Sequence, residues 1–527
     1  MIETHFAITI FIILLLIASG AAMATKWVDV PYTLLLVIVG LIISPMHFLP
    51  PVKISPELIL LIFLPALLFE AAWNLKLEQL RKNLWPILML AVVGVVLSAG
   101  VIALVLHLAT GAPWLWALLF GTMISATDPI SVLALFKKLG LPQRLLTILE
   151  GESLFNDGVA VVLFHIVLGL YLGASTDEVG GVVLNSVREF GVVVFGGIAV
   201  GALAGLLVST VTVYFNDHLL EISLTAISAY GSFLIAEGFG VSPVIAVLIC
   251  GLVIGNYGRH RGMSPTTQVA VNSFWEYAAF VVNSLAFLLI GLEMHVTELV
   301  SSLAAIGWAI LAMLVSRAFA VYGLLPLTNL IPEPVPLRWQ HILSWGGLRG
   351  SLSIALVLSL PPDIPGYSQL VPMVFGTVMF SLLVQGLTAS PLIKVLRLAP
   401  RQGKVGQYEL LQGQLLAETA ALAELDSLRM RGSITEHLYQ SLRANLTQSH
   451  QALGDRLARL DVADRFMERE LSRRLKRHLI DLKKARLTEL LRENMLSEAS
   501  FHELSQMLDE ELAAVQSEQP SERSQGG

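Results

Sequence analysis

The sequence predicts an all-α membrane protein: about thirteen transmembrane helices organised as six-helix inverted repeats, two of the helices unwound, followed by a soluble helical tail. Three observations predict it. The 527 residues are 55% hydrophobic and only 14% charged, with a mean hydropathy of +0.72, whereas a soluble domain carries about 25% charged residues. The apolar residues fall in repeated runs of roughly 20, the length that crosses a bilayer core as a helix. After Lys394 that pattern stops, and a chain rich in Leu, Ala, Glu, Arg and Gln takes over.

Taken in order, the runs cover approximately 6–24, 31–45, 56–73, 84–108, 114–136, 144–172, 190–214, 219–237, 241–257, 272–292, 302–330, 339–360 and 370–397. The second and ninth are short, and the third contains Pro65. The first ends on Ala22-Met23-Ala24, a small-x-small sequence of the kind cleaved from leaders. The residues before it hold Glu3 and no Lys or Arg, where a leader needs positive charge. Alternate loops hold Lys26, then Lys76, Arg81 and Lys82, then Lys137, Lys138 and Arg144, then Arg259 and Arg261, then Arg338; the other set holds Lys53, Arg188 and little else. The richer set is expected in the cytoplasm, with the N-terminus outside, the C-terminus inside, and the plasma membrane as host. The loop 216–221 departs from this, carrying acid and no Lys or Arg. Removing the first run would turn every basic loop to the wrong face, so it is read as a span. Trp114 and Trp116 stand at a predicted membrane edge, where belt residues belong.

Residues 1–397 are therefore read as the membrane domain, 398–516 as a cytoplasmic helical tail with a possible regulatory role, and 517–527, rich in Ser, Gln, Glu and Gly, as a disordered end. In the tail, Leu479, Leu482, Leu487, Leu490 and Leu491 recur at helical spacing. The run Arg473, Arg474, Lys476, Arg477 reads first as a solvated helix face and second as a contact for anionic lipid. A net charge of −6 gives no strongly basic surface for nucleic acid, and a lone Cys250 in an apolar run excludes a disulfide framework and reads as a buried structural thiol.

Chemistry concentrates between Ser125 and Val159, where Asp128, Glu152 and Asp157 interrupt apolar segments. A charge at the centre of a bilayer costs about 2.5–3.5 kcal/mol on insertion scales, so such groups are kept for use, most often in ion or proton pathways. In Ser125-Ala126-Thr127-Asp128-Pro129, Pro129 lacks an N–H and frees carbonyls upstream; unwound backbone at membrane depth survives only where protein buries it or a cavity solvates it. A kink with a capping Asp is the plainer alternative. In Glu150-Gly151-Glu152-Ser153-Leu154-Phe155-Asn156-Asp157, Ser153 and Asp157 share one helix face, and Glu152 and Asn156 the next. Na+ and Li+ are small hard cations that take oxygen ligands, and Asp157, Ser153, the Thr127 carbonyl and water form such a set. Clusters of His and Cys at metal spacing are absent. Burial favours a protonated carboxyl and a bound cation favours the carboxylate, so one Asp can hold either ion in turn. Arg317 and Arg349 also lie in apolar runs and need partners: Glu152 is expected on Arg317, and Asp128 or Glu70 near Arg349. A purely structural tie between helices is the other reading of each arginine.

Gly346-Gly347-Leu348-Arg349-Gly350 interrupts segment twelve as Pro129 interrupts segment five. Broken helices at matching places in two halves point to an inverted repeat with a site at the midplane. Glu70 lies one turn from the end of segment three, lining either the site or the interface. Glu276, Asn283 and Glu237 are weaker candidates, Glu237 as an interfacial group. His165 reads as a packed histidine before it reads as a pH sensor.

Thr127-Asp128-Pro129, Glu152-Ser153 with Asn156-Asp157, Arg317 and Gly347-Leu348-Arg349-Gly350 together resemble the NhaP-type sodium/proton antiporters, a family akin to the animal sodium/proton exchangers, over roughly residues 6–397. The resemblance implies thirteen helices with inverted repeats, segments five and twelve crossing as unwound helices beside segment six, and a homodimer built through an interface domain. It implies Asp157 as ion and proton ligand, Ser153 and the Thr127 backbone as co-ligands, Asp128 and Glu70 as supporting groups, and Glu152–Arg317 as a buried ion pair. Asn156-Asp157 matches members that exchange one cation for one proton electroneutrally. The expectation is thus a transporter and not an enzyme, exchanging Na+ and Li+ for H+ by alternating access, serving pH homeostasis and salt tolerance, with no cofactor and no phosphate-binding loop. Its rivals are a K+/H+ antiporter on the same scaffold, a cation channel, and a membrane sensor that signals through the tail.

Overall fold

The computed structural model describes residues 2–24, 32–44, 58–173, 179–214, 217–293, 296–330, 334–396, 398, 404–431 and 433–459, with scattered positions from 472 to 511. Every regular element among them is helical. The chain divides into two compact units, Met1–Ala399 and Pro400–Gly527.

The first unit begins with α1 (Ile2–Ala24), α2 (Tyr32–Ile43) and α3 (Leu64–Asn74), the last entered through a π turn at Leu58–Phe63 with Pro65 in its first turn, where a missing N–H costs nothing. The short α4 (Leu77–Lys82) leads into α5 (Leu84–Leu88) and α6 (Gly94–Thr110), joined by a π turn into one span. Then come α7 (Trp114–Ser125), α8 (Ile130–Lys138), α9 (Gln143–Leu172), α10 (Val179–Val211), α11 (His218–Gly238) and α12 (Pro243–Val253). The short α13 (Arg259–Arg261) precedes α14 (Pro265–Glu293), and α15 (Val296–Ser301) precedes α16 (Leu303–Leu324). The unit closes with α17 (Leu337–Gly346), α18 (Ser351–Leu358), α19 (Tyr367–Phe380) and α20 (Gly386–Val395). Seven helices among the described residues are long and apolar enough to cross a bilayer, and α17 with α18, bent by 42° at their break, make an eighth. Five shorter apolar helices lie at Thr9–Ala24, Tyr32–Ile43, Ile59–Asn74, Trp114–Ser125 and Pro243–Gly258. The protein is a multi-pass integral membrane protein.

Small residues set how closely these helices pack, as expected where lipid removes the hydrophobic drive between them. Gly40 on α2 faces Gly291 on α14 so closely that a Cβ on Gly40 would stand 2.9 Å from the Gly291 Cα. A π turn at Ile254–Gly258 presents Asn256, whose side chain donates to the carbonyl of Leu75 at 2.9 Å and accepts from the amide of Leu77 at 2.8 Å. That pins the corner between α3 and α4. Of the two edge tryptophans, Trp114 is half exposed and stacks on His107, but Trp116 is buried; only the first has the setting of a belt residue. Cys250 is a free, fully buried thiol.

The second unit contains α21 (Lys404–Met430) and α22 (Glu436–Arg459), packed on each other. Tyr439 is buried between them, donating to Asp426 at 2.7 Å beneath the Arg429 guanidinium. Further on, Ile480 and Leu508 form a small buried pair against Leu487. Leu491, Arg473, Arg474, Arg477 and the end 517–527 lie outside the described residues.

Candidate functional site

The two interruptions meet. Residues 126–129 separate α7 from α8, and residues 347–350 separate α17 from α18. Pro129 disfavours helical backbone in the residue before it, and the freed Asp128 N–H donates to the Leu348 carbonyl at 2.7 Å. Gly350 packs against Asp128 with no room for a Cβ, which would run into its carboxyl group. One Asp128 oxygen accepts from the Ile130 N–H at 3.0 Å, capping the new helix start.

A helix that stops inside a membrane leaves its last carbonyls unsatisfied, with negative dipole ends exposed. Each first half is closed by an arginine. Arg349, buried, donates to the carbonyls of Ser125 and Ala126 at 3.0 and 2.9 Å, at the end of α7. Arg317, buried on α16, donates to the Leu343 carbonyl at 2.7 Å, in the last turn of α17. Arg317 also grips both carboxylate oxygens of Glu152, the second through Nη2 at 3.0 Å. Arg349 forms neither an ion pair nor a hydrogen bond with Asp128 or Glu70, contrary to expectation; helix-end carbonyls take its charge instead. Ser381, in a π turn at Ser381–Gln385, accepts from the Arg349 backbone N–H at 2.9 Å.

Segment six, now α9, lies against the first break. Ser153 donates to the Thr127 carbonyl at 2.5 Å. Asn156 holds Thr127 twice, accepting from its N–H at 3.3 Å and donating to its hydroxyl at 2.5 Å. Asp157 stands one turn beyond Ser153, and its Oδ1 is buried without a hydrogen-bond partner. A buried polar atom left unpaired is costly and calls for an explanation, of which a bound water or ion is one. Asp157 itself belongs to the lining of a cavity of about 460 Å³ that also includes Glu70, Asp128, Ser153 and Asn283. At its outer end Glu70 accepts from Asn74 at 2.7 Å, and Lys137 pairs with Glu150 at 2.7 Å. Glu276 is exposed and outside this lining.

A second cavity, of about 800 Å³, lies further along α9, past Asp157. Val161 and His165 line it, with Leu60, Glu237 and Pro361. His165 is exposed there, not packed, with Nδ1 2.8 Å from the Val161 carbonyl. Leu64 is the residue common to both linings. Sequence reasoning missed Ser381, the Lys137–Glu150 pair and the place of Leu64 on both cavity linings. The first has no motif, the second was visible only as loop charge, and the third concerns one apolar residue among many.

Residues 10–395 match the family model described as sodium/hydrogen exchanger, transmembrane. The chain belongs to that family. Among relatives, the Na(+)/H(+) antiporter ApNhaP of Aphanothece halophytica is 43% identical over 430 residues, 80% of this chain and 81% of that protein. The low-affinity Na(+)/H(+) antiporter NhaS1 of Synechocystis is 38% identical over 497 residues, 93% of each chain. In fold, this exchanger-family chain is similar to the sodium proton antiporter MjNhaP1 of Methanocaldococcus jannaschii, with a TM-score of 0.63 at 20% identity over 75% of this chain and 99% of that one.

Proposed function

We propose that the protein is a secondary antiporter that exports Na+, and Li+, in exchange for external H+, one for one, both ions competing for Asp157. The observation that carries this reading is Asp157, a residue that lines a cavity and keeps one carboxylate oxygen buried without a partner. A dehydrated Na+ takes oxygen donors, and Asp157 would supply one beside the Ser153 hydroxyl and the Thr127 carbonyl, a reading supported by the short bond that joins the last two. A proton satisfies the same carboxyl without the other two. Asn156 is committed to Thr127 on both sides of its amide, so it orients the unwound strand and leaves Asp157 as the group that changes partner. Asp128, Glu70, Glu152, Arg317 and Arg349 support the site. The Na(+)/H(+) antiporter names of related proteins support the Na+/H+ exchange part of this reading.

In this reading the five shorter apolar helices complete thirteen spans arranged as inverted repeats. The N-terminus lies outside the plasma membrane, the chain dimerises, and the C-terminal helices lie in the cytoplasm and regulate. Movement of the crossed half-helices opens Asp157 first to one cavity and then to the other.

The test is cation-driven proton movement in everted vesicles with Na+, Li+ and K+, wild type beside Asp157→Asn. The expected result is exchange with Na+ and Li+ in the wild type and none in the variant. Preference for K+ would reassign the substrate, and brisk exchange by Asp157→Asn would remove Asp157 from its role.

A further inference from the structure

We propose that Lys137 is a tethered competitor for the transported cation, holding the affinity of the cytoplasmic entrance below what its carboxylates alone would give. This rests on the exchange reading above. The 460 Å³ cavity runs between α3, α8 and α9, and Lys137 lines its outer end with Glu70 and Glu150. Glu150 and Asp157 are seven residues apart on α9, two turns along one face and roughly 10 Å in rise. An arriving cation therefore meets Glu150 before Asp157. Lys137 Nζ already occupies Glu150, 2.7 Å from its Oε1, and the two side chains are 54% and 26% exposed. Its ammonium takes up an oxygen that Na+ would otherwise meet and repels a second cation along the cavity.

Neutralising Lys137 adds one formal negative charge to the entrance without touching Asp157, Ser153 or Thr127. Across a partly aqueous path of this length, one unit charge changes cation binding by about three- to tenfold. In everted vesicles, Lys137→Gln should lower the Na+ KM by about that factor, and Glu150→Gln should raise it. Lys137→Arg, which keeps the charge, should stay at the wild-type KM. So should Lys82→Gln, which loses the same charge from an exposed pair with Glu78 outside the cavity. A Lys137→Gln variant that loses kcat at unchanged KM would make the pair a mere tie between α8 and α9 and overturn the inference. An equal KM shift in Lys82→Gln would do the same by assigning the effect to general surface charge. A wild type inert toward Na+ sinks the exchange reading together with this one; an active wild type with an unmoved Lys137→Gln sinks this one alone.

Discussion

At the scale of single residues, the site is an arrangement for ending helices inside a membrane. Arg349 and Arg317 each satisfy carbonyls at the end of a half-helix, and only Arg317 also has a carboxylate. The two arginines therefore differ in what their loss exposes. Arg317→Met would leave the Glu152 charge buried and alone, a loss of about 3–5 kcal/mol, and the protein should melt well below the wild type in detergent. Adding Glu152→Gln should recover part of that loss, because the stranded charge is then gone; a double variant as unstable as the single one would show that the Leu343 contact matters more. The Glu152–Arg317 contact was legible in the sequence, since two opposite charges in apolar runs need each other. The partners of Arg349 were not. Backbone carbonyls carry no signature in a sequence, so a carboxylate looked like the natural counter-charge.

At the scale of elements, helix positions follow largely from hydropathy, and among the described residues each predicted run overlaps at least one helix. The two breaks follow from Pro129 and from the glycines around Arg349. That the breaks cross was an expectation of the family resemblance alone, and the Asp128 to Leu348 hydrogen bond between them was unreadable because it joins residues far apart in the chain. π turns were equally invisible: one delivers Ser381 to Arg349 and another delivers Asn256 to the α3–α4 corner, with ordinary residues in both. Close helix contacts hold these parts at fixed separation. Gly40→Ala would push a methyl into the Gly291 backbone, which cannot yield as a side chain would. Overpacking of this kind costs about 1–3 kcal/mol, and a lower melting temperature of the purified membrane protein should report it. An unchanged melting temperature would mean that α2 and α14 can part without cost.

At the scale of the whole molecule, the division at Ala399 separates two compact units. A chain ending at Ala399 retains the crossed half-helices, Asp157 and both cavities. It should still exchange Na+ for H+ in vesicles, with an altered pH dependence if the distal helices regulate; complete loss in a well-folded product would make those helices part of the transport machinery. The amphipathic pattern of the tail was readable, while its partners within the tail, such as Tyr439 on Asp426, were not. Leu64, shared by the two cavities, has a consequence of its own. A voltage across a membrane falls mainly over whatever conducts least, and where water fills the two cavities that is the packing around Leu64 rather than the whole bilayer. Each elementary charge crossing it does the full work of about 2.3 kcal/mol per 100 mV in one short step. In the proposed one-for-one exchange that work sums to zero over a full cycle, so the membrane voltage would add no net driving force in either direction.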